Sequence, residues 1–177
     1  MALIKTTPPA EAGGKLAELY KETEAMFGVV PNNAQILGVS PAILENQLDF
    51  IGYYRGHPTL SMAFLAMIRM LVAESTNSPY CVGLNNMLLT QVGLKPEQIE
   101  AAKADANKVP MSDKEKALIK FVLKATKDPH GVTASDIDGL RGLGWSDQDI
   151  FDAVVHGARA VATNILFDAF KIELDLC

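Results

Sequence analysis

Apolar residues recur at intervals of three and four along nearly the whole chain, and no run alternates long enough to mark a strand. Between Ala12 and Phe27, the residues Leu16, Leu19, Tyr20, Thr23 and Met26-Phe27 follow that spacing, and Gly28 ends the run. Val29-Val30-Pro31-Asn32-Asn33 reads as an extended connection. Ser40-Pro41 combines an N-cap with proline at the first helical position, which predicts a helix to about Arg55 before the break at Gly56-His57-Pro58. From Ser61 to about Ala73 the chain is apolar nearly all round, the mark of a central buried helix. Ser75 to Pro79 breaks it, and Pro79 opens a helix to about Gln91, stopped by Gly93. A short helix follows from Lys95-Pro96 to about Ala106. Ser112 and Glu115 form a capping box for a helix to about Lys127. Thr133-Ala134-Ser135-Asp136 caps another short helix that ends at Gly142-Leu143-Gly144. Ser146-Asp147 opens the last long helix, which should reach about Phe170. The expected fold class is therefore all-α, with about seven to eight helices.

Composition narrows the picture without assigning a role. A chain of 177 residues can bury one substantial core, and 49% hydrophobic with 21% charged residues is ordinary for a globular protein. One domain over residues 1–177 is expected, with Lys108-Val109-Pro110 as the only candidate linker. A net charge of −5 leaves no basic footprint for nucleic acid or an anionic membrane surface. No apolar run reaches the ~20 residues of a membrane span, and Met1-Ala2-Leu3-Ile4-Lys5 lacks a signal peptide's apolar stretch. Two cysteines are too few for a disulfide framework. The expectation is a cytoplasmic protein.

The chemistry concentrates in Thr76-Asn77-Ser78-Pro79-Tyr80-Cys81-Val82-Gly83-Leu84-Asn85. A helix opening on Cys-x-x-Cys, with His four residues later, would place two thiols and an imidazole on one turn, with the thiols beside the positive helix end. Here Ser78 stands at the first thiol position and Asn85 at the imidazole position, so only Cys81 remains as a nucleophile. Two readings of Cys81 stand: a buried inert thiol, and a reactive or redox-sensing one. Ser78 is read as the N-cap of its helix, with a hydrogen bond to a thiol or ligand as the alternative. Asn85 does not titrate in the useful range and cannot relay a proton. Glu74 is the nearest carboxylate: a base if buried, a solubilising group if exposed. Arg69 interrupts the apolar helix and is expected to pair with Glu74 or with a neighbouring subunit. His57, His130 and His156 share no ligand spacing, so no metal site is expected, while His156 and Arg159 share a face of the last helix. Met62, Met67 and Met70 at helical spacing read as core or subunit interface. Cys177, at the C-terminus, reads as an exposed thiol without catalytic consequence.

Several blocks together carry a family resemblance. They are Phe27-Gly28-Val29-Val30-Pro31-Asn32 through Ser40-Pro41-Ala42, the apolar helix leading to Asn77-Ser78-Pro79-Tyr80-Cys81, and Met111 to Leu118 with Asp128-Pro129-His130-Gly131-Val132-Thr133. Gly144-Trp145-Ser146-Asp147 leading to Ile150-Phe151-Asp152-Ala153-Val154 and Asn164 completes the set. In order and over nearly the whole chain, they resemble the alkylhydroperoxidase D-like (carboxymuconolactone decarboxylase) superfamily, in its peroxidase-related branch. The resemblance implies an all-helical fold, homo-oligomers, and hydroperoxide reduction by two thiols with a Glu and a His relaying the proton. The Glu lies twelve residues before the first thiol, which in this chain is Ala66. Cys81 matches the second thiol, and Tyr80 the aromatic residue that often precedes it.

With Ala66, Ser78 and Asn85 at those positions, the expected function is that of a homologue without efficient two-cysteine peroxidase activity. It would act in small-molecule binding or assembly. The alternative is a weak one-cysteine hydroperoxide reductase using Cys81. The expected partners are further copies of the chain and a small apolar or hydroperoxide ligand, with no cofactor, no nucleic acid and no membrane.

Overall fold

The computed structural model describes residues 2–175, and among them every regular element is a helix. Nine α-helices follow in order: α1 (Gly14–Phe27), α2 (Asn32–Leu37), α3 (Pro41–Arg55), α4 (Met62–Ser75), α5 (Pro79–Gln91), α6 (Pro96–Ala104), α7 (Asp113–Lys127), α8 (Ala134–Gly142) and α9 (Asp147–Ala169). The all-α expectation holds. The expected extended connection ends sooner than the sequence suggests, because α2 begins at Asn32. Its six residues are too few to be helical on propensity alone. Pro31 supplies the free carbonyl that accepts from Ala34 and Gln35 N–H at 2.9 and 3.0 Å, and Ala34, Ile36 and Leu37 are buried.

The chain divides into two compact units, one of residues up to His57 together with those from Leu166 onward, the other Pro58–Ile165. In the first, α1 and α2 both pack on α3, burying Leu19, Tyr20, Ile36, Leu44 and Leu48. Tyr20 also donates to the Thr7 carbonyl at 3.0 Å, which ties the N-terminal segment to α1. The Leu3 N–H donates to the Phe170 carbonyl at 2.9 Å.

The second unit is built around α4, which packs against α5, α6 and α7. Phe64 through Ile68 and Met70 through Ala73 are all buried, so α4 is a central helix rather than an amphipathic one. Ser61 caps it, accepting from the Phe64 N–H at 3.2 Å. The amphipathic α7 turns Leu118, Ile119, Phe121 and Val122 inward. Its capping box closes as expected, with the Ser112 N–H donating to Glu115 Oε2 at 2.9 Å. At Gly157, α9 lies so close to its neighbours that a Cβ there would collide with a Val122 methyl, with Ile68 3.7 Å away.

Among the described residues, α9 is the one helix long and apolar enough to cross a membrane by length and composition, with mean hydropathy 1.2 over its best window. This exceeds what the sequence suggested, yet 44% of that window is buried inside the protein.

Candidate functional site

The turn between α4 and α5 is fixed by backbone geometry. The Ser78 N–H donates to the Ala73 carbonyl at 3.0 Å and the Asn77 N–H to the Glu74 carbonyl at 3.2 Å, while Asn77 adopts a left-handed φ of 53°. These bonds make a Schellman closure of α4, with Asn in the position that tolerates positive φ. Ser78 is at once the residue that completes this closure and the residue before Pro79, the first of α5. The two helices are therefore joined with no slack. Cys81 falls in the first turn of α5 and is 5% exposed.

Ser78 occupies the N-cap position, but its side chain makes no cap hydrogen bond, contrary to the sequence expectation. Full burial and a backbone set by the Schellman closure take its hydroxyl out of that role. Glu74 is exposed, so of its two readings the solubilising one stands.

Arg69 does not pair with Glu74. Five residues along a helix carry a side chain about 140° round the axis, so the two cannot share a face. Arg69 turns inward instead: Nε donates to Asn85 Oδ1 at 2.9 Å, and Nη1 lies 2.9 Å from His156 Nε2. Asn85, 2% exposed, donates in turn to the Cys81 carbonyl at 2.8 Å. The amide at the expected imidazole position thus links the cysteine's own peptide to a guanidinium.

His156 is 5% exposed. Because guanidinium nitrogens only donate, His156 Nε2 must accept, so the ring is neutral and carries its proton on Nδ1. Burial pushes its pKa down to about 3, and the Arg69 charge adds to the fall, while the Leu65 backbone opposes it. Such a ring is an anchor, not a base near neutral pH. It faces Arg69 on α4.

Arg69 is itself desolvated. Burial lowers its pKa to about 10, and the opposing influence is the electrostatic pull of Cys81. It therefore stays charged at neutral pH, with two hydrogen-bond partners that are both uncharged. Buried cations are normally paired with an anion, because an uncompensated charge away from water costs several kcal/mol. The side chain whose electrostatic influence favours the charged form of Arg69 is Cys81.

Sequence reasoning placed Cys81, Ser78 and Asn85 in one turn and flagged Arg69, but did not bring Arg69 and His156 to that turn. His156 lies 87 residues from Arg69, beyond the reach of any local spacing. One signal was present: Arg69 is the sole charge between Ser61 and Ala73, in a helix otherwise apolar all round. Cys177 lies outside the described residues.

No family model matches the chain, and no curated protein matches it in sequence. Solved structures do. It is similar to an uncharacterised peroxidase-related protein with an alkylhydroperoxidase AhpD core from Ralstonia eutropha JMP134, at TM-score 0.85 and 20% identity, covering 99% of this chain and 93% of that one. A peroxidase-related protein from Silicibacter sp. TM1040 aligns at TM-score 0.82 and 18% identity, covering 98% and 96%. A variant of the debrominase Bmp8 in complex with 2,3,4-tribromopyrrole aligns at TM-score 0.79 and 15% identity, covering 99% and 93%. Over essentially its whole length, the chain has the alkylhydroperoxidase D-like fold of the peroxidase-related proteins.

Proposed function

We propose that the chain is a single-thiol reductase of hydroperoxides, in which Cys81 reacts as a thiolate paired with Arg69. The observation that carries this reading is the desolvated, half-buried guanidinium, hydrogen-bonded to two neutral partners and acted on electrostatically by Cys81. An opposite charge close by favours the ionised form of a thiol, and the first turn of a helix favours it further. A family member with Glu and His would generate its nucleophile by moving a proton; this site would hold one by fixed charge.

The chemistry closes on Cys81 alone. The thiolate attacks the distal oxygen of R–O–OH, the O–O bond breaks, and the departing alkoxide takes a proton from water. Cys81 is left as a sulfenic acid. An external thiol condenses with it, releasing water and forming a mixed disulfide. A second external thiol then restores Cys81 and leaves as the external disulfide. Ser78 cannot take the resolving role, because a hydroxyl forms no disulfide.

Small-molecule binding without turnover is the competing reading, favoured by the 5% exposure of Cys81, which restricts approach of a bulky peroxide. Comparing hydrogen peroxide and an alkyl hydroperoxide consumption, with a monothiol reductant, separates the two. Thiol-dependent turnover abolished by Cys81→Ser, with a sulfenic acid trapped on Cys81 when reductant is withheld, is the expected result. Equal background rates in parent and variant would leave only binding. Tribromopyrrole belongs in the same panel, since the similar debrominase was solved with it.

A further inference from the structure

Arg69 is anchored by only part of its donor set. A guanidinium carries several N–H donors in a fixed planar fork. Among the described residues Nε–H donates to Asn85 Oδ1 and Nη1 meets His156 Nε2, each at 2.9 Å, and Arg69 makes no other hydrogen bond. Both N–H donors of Nη2 are therefore uncommitted. Arg69 is half-buried, and Nη2 is not sealed inside the protein.

The fork fixes where these donors point. The Nε–H of a guanidinium and the nearer Nη2–H are parallel, and together they form the edge that grips carboxylates in bidentate pairs. Here that edge faces α5, and Asn85 takes only its Nε half. Asn85 lies four residues after Cys81 on the same face of α5 and donates back to the Cys81 carbonyl at 2.8 Å. The parallel Nη2–H is thus directed toward the helix face that carries the sulfur. No hydrogen bond joins the guanidinium to that sulfur, which keeps the donor available to an oxygen that the sulfur attacks.

The geometry points to Nη2 of Arg69 as the donor that receives the departing oxygen when Cys81 opens a hydroperoxide. This rests on the single-thiol chemistry proposed for Cys81 and gives Arg69 a second task within it. As the S–O bond forms and the O–O bond breaks, the electron pair of the breaking bond leaves with the proximal oxygen. Sulfur is oxidised by two electrons and the peroxide is reduced. The alkoxide takes its proton from water, and the guanidinium keeps its own. The site holds one cation and one anion before and after the step; only the position of the anion changes. A preorganised donor aimed at developing charge is worth about 10²–10³ in rate. Asn85 and His156 are then positioning residues, neutral acceptors that fix the fork without spending its charge. The favoured substrates are alkyl hydroperoxides, whose departing oxygen is strongly basic. A peroxy acid, which expels an already stable carboxylate, gains least.

Single-turnover oxidation of Cys81 by ethyl hydroperoxide and by peroxyacetic acid, in a Cys177→Ser background, tests this, with N-acetylcysteine as the reference and all rates expressed per thiolate. The parent's preference for peroxyacetic acid over ethyl hydroperoxide should be smaller than that of N-acetylcysteine by about tenfold or more. Arg69→Lys keeps a positive charge but not the parallel donors. It should restore most of that preference, while its rate with iodoacetamide, which expels iodide, stays nearly unchanged. The first comparison needs no variant, so it decides the matter even if Arg69→Lys does not fold. A parent preference equal to that of N-acetylcysteine would overturn the proposal, as would an Arg69→Lys loss equal for both peroxides and iodoacetamide. Either result leaves the single-thiol reading standing, provided ethyl hydroperoxide oxidises the parent faster than N-acetylcysteine. A parent no faster than N-acetylcysteine with both peroxides would remove that reading and this inference together.

Discussion

His156 gives the site its acid sensitivity. Its pKa is about 3 in the folded chain against an ordinary value near 6.5. Below pH ~6.5 the unfolded state binds more protons than the folded one, so stability falls as pH drops from about 6.5 toward 3, and does not depend on this group above that range. The slope is at most about 1.4 kcal/mol per pH unit. The carboxylate of Asp136, held down at about 2 chiefly by Lys124, withdraws its contribution as pH falls from about 4 toward 2, overlapping only the acid end of this range. His156→Gln keeps an acceptor for Arg69 and cannot titrate. Its urea midpoint should decline less than the parent's between pH 7 and 4.5; parallel declines would mean the ring is not held neutral. At this scale the sequence made Cys81, Ser78 and Asn85 legible, because one helical turn gathers them. The Arg69–His156 contact was not legible, since it is made by tertiary packing.

Gly157 is the element-scale counterpart. Glycine inside an exposed helix normally costs up to about 1 kcal/mol relative to alanine, so Gly157→Ala would stabilise a solvated α9. In this fold an added methyl would meet Val122 on α7, and overpacking typically costs about 1–3 kcal/mol. The melting midpoint of Gly157→Ala should therefore fall, and since His156 is the preceding residue, Arg69 should lose part of its anchor. A rise in midpoint would show that α9 does not lie this close. Helix starts with a side-chain cap or an early proline, at Ser40-Pro41, Ser112, Thr133 and Ser146, were readable from local chemistry. The six-residue α2 was not, because two asparagines after a proline spell a turn locally and only burial of Ala34, Ile36 and Leu37 makes them helical.

For the whole molecule, helix order and the resemblance carried by dispersed blocks were enough to reach the fold. They were not enough to reach the chemistry. The residues that the resemblance assigns to acid–base work are Ala66 and Asn85, which suggested a spent site. The structure places a cation three residues beyond Ala66 on the same helix and fastens it to Asn85. A proton relay and a fixed charge are alternative ways to supply a thiolate, and only tertiary structure distinguishes a lost relay from a substituted one. The central claim is that Arg69 holds Cys81 ionised. It is tested most directly by the pH dependence of Cys81 alkylation in the parent, Arg69→Lys and Arg69→Met, in a Cys177→Ser background with folding checked by thermal melts. A midpoint at least one unit below the ~8.5 of a free thiol, largely kept by Arg69→Lys and returned upward by Arg69→Met, is the predicted result. A parent midpoint near 8.5, or one unmoved by Arg69→Met, would contradict it.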